Sequence, residues 1–308
     1  MANAPPLRLG AVEWGLIALQ SMLWGSSYFF IAVVQDQVPI LTVVAIRGVF
    51  ASIMLIAIVT SLGYRMPATL AEWGHFAFFS TFNTLIPFAL IVWGQARATG
   101  GMAAILNASA PLFGIFLAHV LTHDEKLSPN KLAGILLGVV GVAILVGSDL
   151  AVMSTADLLA RLALLAAPLL YVLANIYARN KLGEYPPFVI AMMQMAASLS
   201  ISVPLALAVD WPWTLPMPSL TVLGAIIATG VFGSGLAALC HFTVLRRAGA
   251  TNALLVTLIM PLTPIVLGGL FLGEQLTSRE IVGALIIAAA LLIIDGRIVR
   301  VLAGRPAQ

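Results

Sequence analysis

Arg47 lies well inside a long apolar run, residues 39–62. It stands about eight positions, or roughly 12 Å, from the start of that run if the run is helical. A guanidinium in such surroundings costs about 2.5–3.5 kcal/mol on insertion scales and is a functional candidate by default. One chemistry open to it is a bidentate clamp on a carboxylate. The other is structural, either reaching outward to the interface or tying down helix-end carbonyls. Its counterpart in the internal repeat set out below is the uncharged Gln194. A charge used for packing needs no symmetry partner, so the repeat favours the structural role.

Neutral polar and aromatic residues form the second group. Trp24 and Tyr171 fall at equivalent positions of the repeat, each near the middle of its apolar run. Aromatics usually gather at membrane interfaces, so a central pair suggests either apolar cavity walls or close packing. Tyr28 and its counterpart Asn175 lie one turn further along on the same face. Asn83 and Asn107 fall near the centres of their runs. A buried amide needs partners, which a wet cavity, a ligand or a neighbouring helix can supply. His241 and Asn252, read as flanking an inner entrance, are expected to touch water there. Pro111 and Pro261 are related by the repeat, and each removes a backbone hydrogen bond at matching depth. With Arg47, these four are the candidates for cavity or gate residues.

Other chemistries are poorly served. All 12 acids fall in loops or near the ends of apolar runs, so no central carboxylate waits for a proton or sodium ion. Only His75 and His241 offer a titration near neutral pH in the right neighbourhood. Ser234 and His241 are seven residues apart, about 10 Å along a helix, too far for a nucleophile and its base. His119-x3-His123 has metal-ligand spacing, yet no second cluster accompanies it. The single cysteine, Cys240, excludes a disulfide framework or thiolate cluster. No phosphate loop is present. The expectation is a non-enzyme with no metal and no cofactor.

The elements that must position these residues follow from composition. Hydrophobic residues make up 61% of the chain and charged residues 9%, against about 25% charged in a soluble domain. A membrane helix needs about 20 apolar residues. Ten runs qualify, at residues 12–34, 39–62, 73–93, 99–121, 131–148, 157–178, 187–209, 219–243, 249–272 and 279–296. With the N-terminus inside, eleven basic residues face inward and three, Arg97, Arg161 and Arg279, face outward. That bias places both termini in the cytoplasm. The net charge of +3 is therefore topological, and no nucleic-acid partner is implied.

The chain also repeats. Ala103, Pro111 and Arg97-Ala98 recur as Ala253, Pro261 and Arg247-Ala248, each 150 positions later. Glu125-x-Leu127 and Gly134 recur as Glu274-x-Leu276 and Gly283 after 149, and Trp24 and Pro39 align with Tyr171 and Pro186 after 147. Five runs per half is an odd number, so the second half enters from the opposite side. The expected fold is an all-α membrane protein of ten transmembrane helices in two inverted five-helix repeats, residues 1–149 and 150–308. Such halves are characteristic of secondary transporters, with a site near the midplane between them.

On its motifs the chain resembles the EamA branch of the drug/metabolite transporter superfamily over essentially its whole length. The resemblance rests on Trp24-Gly25-Ser26-Ser27, Arg47-Gly48, Asn83-Thr84, Ile86-Pro87-Phe88, the stretch from Gly101 through Asn107 to Pro111-Leu112, Glu125-Lys126-Leu127 and Gly273-Glu274-Gln275-Leu276-Thr277. Thr122-His123-Asp124 stands where family members carry a glycine. The resemblance implies export of neutral and aromatic amino acids or similar small amphiphilic metabolites, with multidrug export as the alternative. Trp24, Tyr28, Asn83, Asn107, Tyr171 and Asn175 are expected to shape the substrate site. The expected partners are a small-molecule substrate and membrane lipid. The expected state is a monomer in a bacterial inner membrane, moving substrate down its gradient by alternating access.

Overall fold

The computed structural model describes residues 10–295 apart from 65, 66, 68, 122–126, 148–152 and 254. Helices dominate the described residues. Nine stretches are long and apolar enough to cross a membrane: α1 (Ala11–Val34), α2 (Ile40–Ser61), α3 (Leu70–Gln95), α4 (Gly100–Leu121), α5 (Pro129–Gly147), α6 (Thr155–Lys181), α7 (Pro187–Val209), α8 (Leu220–Leu245) and α9 (Leu255–Leu272). A tenth helix, α10 (Ser278–Asp295), carries Arg279, Glu280 and Asp295 in its 18 residues, which sets it apart from the nine.

The polar residues between apolar runs start helices. Thr69 and Glu72 form a reciprocal cap at α3, with Glu72 Oε2 accepting from the Thr69 amide at 2.8 Å. Thr99, Ser154 and Ser219 accept from the amides of Met102, Asp157 and Val222 at α4, α6 and α8. These caps satisfy amides that the first helical turn leaves without partners. Burial is inverted relative to a soluble protein. Leu136, Leu270, Phe271 and Leu285 are more than 60% exposed around the outside, while Gln20, Gln95 and Arg47 are buried. An apolar girdle of this kind faces lipid.

The packing order positions the site. α2 lies along α7 and α5 along α10, while α1 packs on α8 and α9, and α6 packs on α3 and α4. Exchanging the first five helices for the last five leaves that pattern unchanged. The α5–α10 seam is close: a Cβ on Gly134 would stand 2.9 Å from the Ala290 carbonyl, and one on Gly141 would stand 3.1 Å from the Gly283 carbonyl. Gly134 and Gly138 therefore serve packing within the chain. Gly269-x3-Gly273, whose spacing suggests the same, behaves differently. Gly273 has φ of +67° and ends α9 in a left-handed turn, a conformation that suits glycine.

One boundary differs from the sequence expectation. The interruption expected over residues 244–248 is helical, and the helix continues from α8 to Ala253. Leu245, Arg246, Arg247 and Ala248 are good helix formers, so the helix continues through them. Asn252 accordingly sits in the last turn of that helix, not at the start of α9. His241 lies 12 residues before the helix end, well inside it.

Candidate functional site

The site grows from two prolines. A proline ring collides with the carbonyl four residues earlier and removes one amide donor. For Pro87 that carbonyl is Asn83's, and α3 widens into a π-helical turn over Thr81–Leu85. For Pro111 it is Asn107's, and α4 breaks at Ala108–Ser109. Both central asparagines therefore stand where the backbone ladder is disturbed, a setting in which π turns often mark function. A second π turn, Thr229–Leu236, occupies the glycine-rich middle of α8. α9 breaks comparably at Met260–Pro261.

Asn83 is the hub of a polar network between α3, α6 and α7. Its Nδ2 donates to Asn175 Oδ1 at 3.2 Å and to the Tyr171 carbonyl at 3.4 Å. Gln194 Nε2 donates to Asn83 Oδ1 at 2.7 Å and to Thr84 Oγ1 at 2.5 Å. Tyr171 is half-buried and Asn175 exposed. Sequence reasoning missed Gln194 as a member of the network, treating it only as the counterpart of Arg47. Gln95 was missed too: it is buried and donates to the Tyr28 carbonyl at 2.9 Å. An amide inside an apolar run was the available signal for both.

Beside this network lies an aromatic group around Arg47. The Arg47 guanidinium carbon stands 3.7 Å from the centre of the Phe88 ring, a cation–π geometry. Arg47 is 8% exposed, and its Nε and Nη1 have no hydrogen-bond partner. These two nitrogens tie down no helix carbonyl, contrary to the structural role that the repeat favoured. Tyr171 lies within electrostatic reach of Arg47 and of Tyr28, and the Asn107 amide faces the Tyr28 hydroxyl. Asn107 Oδ1 is buried without a partner. The structure thus brings Tyr28, Asn83, Asn107, Tyr171 and Asn175 together and adds Arg47, Phe88 and Gln194.

Trp24 belongs to a neighbouring position. It is half-buried between two apolar clusters, its ring 5.1 Å from that of His241. His241 Nδ1 pairs with Gln20 Nε2 at 2.9 Å. His241 is therefore a partner of α1 within the bundle. Asn252 is buried and donates to the Ala248 carbonyl at 2.7 Å, a bond within its own helix. Pro111 is buried at the α4 break. His123 of the histidine pair, and Glu125-Lys126, lie outside the described residues. Among the described residues, no group of three or more His, Cys, Asp or Glu is placed to hold a metal.

Carboxylates keep to the ends. Glu13, Glu72, Asp157 and Glu280 stand in first turns. Asp210 caps α7 and accepts from the Thr42 amide at 2.7 Å and its hydroxyl at 2.8 Å. A groove of about 670 Å³ near Asp210, lined by Pro39, Leu85, Trp93 and Leu205 among others, is almost wholly apolar. It suits a lipid chain better than a polar metabolite.

Comparison with known proteins decides the class. The EamA-like transporter family matches twice, over residues 13–147 and 158–295. The chain belongs to the EamA-like transporter family. It is a membrane transporter of the drug/metabolite type. The transporter is 26% identical over 271 residues to the protein PagO of Salmonella typhimurium, covering 86% of each chain. It is 26% identical to PecM of Dickeya dadantii, covering 89% of each. It is 23% identical over 303 residues to an Escherichia coli protein named as a probable amino-acid metabolite efflux pump, covering 90% of this chain and 93% of that one. One crystal structure shares its fold at a TM-score of 0.65 and 17% identity, covering 92% of this chain and 98% of the other.

Proposed function

We propose that this transporter exports neutral and aromatic amino acids, or similar small amphiphilic metabolites, by alternating access. The observation that carries the reading is the polar and aromatic band of Asn83, Gln194, Asn175, Tyr171 and Tyr28, drawn from both matched segments inside otherwise apolar helices. Backbone charges of an amino acid would meet amides and hydroxyls, and its side chain the aromatic rings. The printed name of the Escherichia coli relative and the resemblance in length and motif order to the amino-acid exporter YddG support the substrate class.

The architecture proposed with it has ten transmembrane helices, α10 included, in two inverted halves, residues 1–149 and 150–308. The double family match supports that division, as does the exchange-symmetric packing. The π turns beginning at Thr81 and Thr229 add support, being separated by nearly the repeat length. The proposal places the chain as a monomer in a bacterial inner membrane with both termini cytoplasmic. Its partners are the small-molecule substrate and membrane lipid, without nucleic acid. With carboxylates at helix ends, movement follows the substrate gradient. The test is flux of labelled phenylalanine, methionine and threonine into proteoliposomes, with and without a pH gradient. Gradient-independent equilibration is the expected outcome. Accumulation only under a gradient would favour a proton-coupled carrier, and lipophilic-cation efflux without amino-acid flux would favour a multidrug exporter.

A further inference from the structure

Two kinds of unsatisfied atom stand among the central helices. Arg47 presents two buried donors, Nε and Nη1, without acceptors. Asn107 presents a buried acceptor, Oδ1, without a donor. Phe88 covers a face of the guanidinium, but a ring face takes none of the in-plane N–H groups. Buried polar groups left unmade cost about 1–3 kcal/mol each, and more when charged. A membrane interior cannot hold a bare guanidinium for packing alone, and the described carboxylates all sit at helix ends or in loops. The open guanidinium asks for a ligand that brings an anion.

We propose that Arg47 receives the carboxylate of the amino-acid substrate. This rests on the amino-acid reading above and narrows it: the substrate must carry a free carboxylate. A guanidinium pairs with a carboxylate through two parallel hydrogen bonds. The Phe88, Tyr28 and Tyr171 rings then border the substrate's apolar part.

The test is competition against labelled phenylalanine uptake in proteoliposomes holding the full chain. The competitors are phenylalanine, phenylalaninamide (no carboxylate), 3-phenylpropionate (no ammonium) and phenyl phosphate. Phenylalanine is expected to compete roughly 10- to 100-fold better than phenylalaninamide. Arg47→Met should abolish that preference, and Arg47→Lys should restore part of it. 3-Phenylpropionate, which keeps the carboxylate, should also compete better than the amide. Equal competition by acid and amide in the unsubstituted protein would overturn this site and leave amino-acid transport standing. Stronger competition by phenyl phosphate would overturn the carboxylate in favour of a phosphorylated ligand. Absence of any amino-acid flux, beside efflux of lipophilic cations, would overturn the amino-acid reading and this site together. Should Arg47→Met fail to fold, the competitor series on the unsubstituted protein decides alone.

Discussion

The α5–α10 seam and the band around Asn83 and Arg47 are built on opposite terms. In the seam, Gly134, Gly141 and Gly283 let helices approach until a single added methyl would stand 2.5–2.8 Å from Ile294, Ile287 or Leu145. Apolar side chains fill the contact, and nothing polar is left over. In the band, amides pair across three helices and three polar atoms of Arg47 and Asn107 remain unsatisfied. Close packing has few alternative arrangements, so the seam is suited to act as a fixed frame. Unsatisfied polarity has a standing free-energy cost that a ligand removes, so the band is suited to receive one.

The largest effect that would break this contrast is substitution in the seam. Gly134→Val should destabilise the protein by about 1–3 kcal/mol through overpacking, seen as a lower melting temperature in detergent. An unchanged melting temperature would mean that the seam is loose. The band should respond the other way round. Asn83→Ala is expected to reduce phenylalanine flux roughly tenfold while costing little stability, since an interhelical hydrogen bond averages about 0.6 kcal/mol. Melting temperature and flux falling together would assign Asn83 to packing. Trp24→Ala should raise the apparent KM for aromatic substrates several-fold, roughly as expected for lost apolar contact. Unchanged kinetics would place Trp24 outside the site.

The smallest expected effect lies away from both regions. Tyr185, between α6 and α7, donates its hydroxyl to Glu72 Oε1. That hydrogen bond, with lesser help from burial and the nearby carboxylates, raises its pKa from the ordinary 10.0 to about 12. The folded state thus favours the protonated phenol. The contribution to stability is fully present below about pH 10 and is lost as pH rises through 12. Tyr185→Phe should remove that alkaline dependence from a melting-temperature profile and leave flux at neutral pH unchanged. A profile identical to that of the unsubstituted protein would show that the bond contributes nothing.

Much of the candidate site was legible in part. The types and depths of Tyr28, Asn83, Asn107 and Tyr171 stood out because an amide or phenol in an apolar run has few explanations. The N-x3-P spacing of Asn83 with Pro87 and of Asn107 with Pro111 was also present, and joins polarity to a disturbed backbone. The pairing of Gln194 with Asn83 was not legible, because the two stand 111 residues apart and only helix packing sets them face to face. The surroundings of Arg47 were not legible for the same reason. Its repeat counterpart suggested packing, whereas the absence of partners for two of its nitrogens depends on which neighbours arrive around it.

Composition and periodicity determined that this chain forms membrane-length helices, because apolar length against bilayer thickness is a local quantity. They also marked the prolines, which act through neighbours within about four residues. They misjudged the junction of α8 and α9, where Arg246 and Arg247 read as a loop and helical propensity carried the chain on to Ala253. The tertiary structure alone decided which polar atoms meet, which glycines bring helices together, and which donors remain open. Those outcomes turn on ångström-scale distances between segments more than 80 residues apart, and no single helix contains that information.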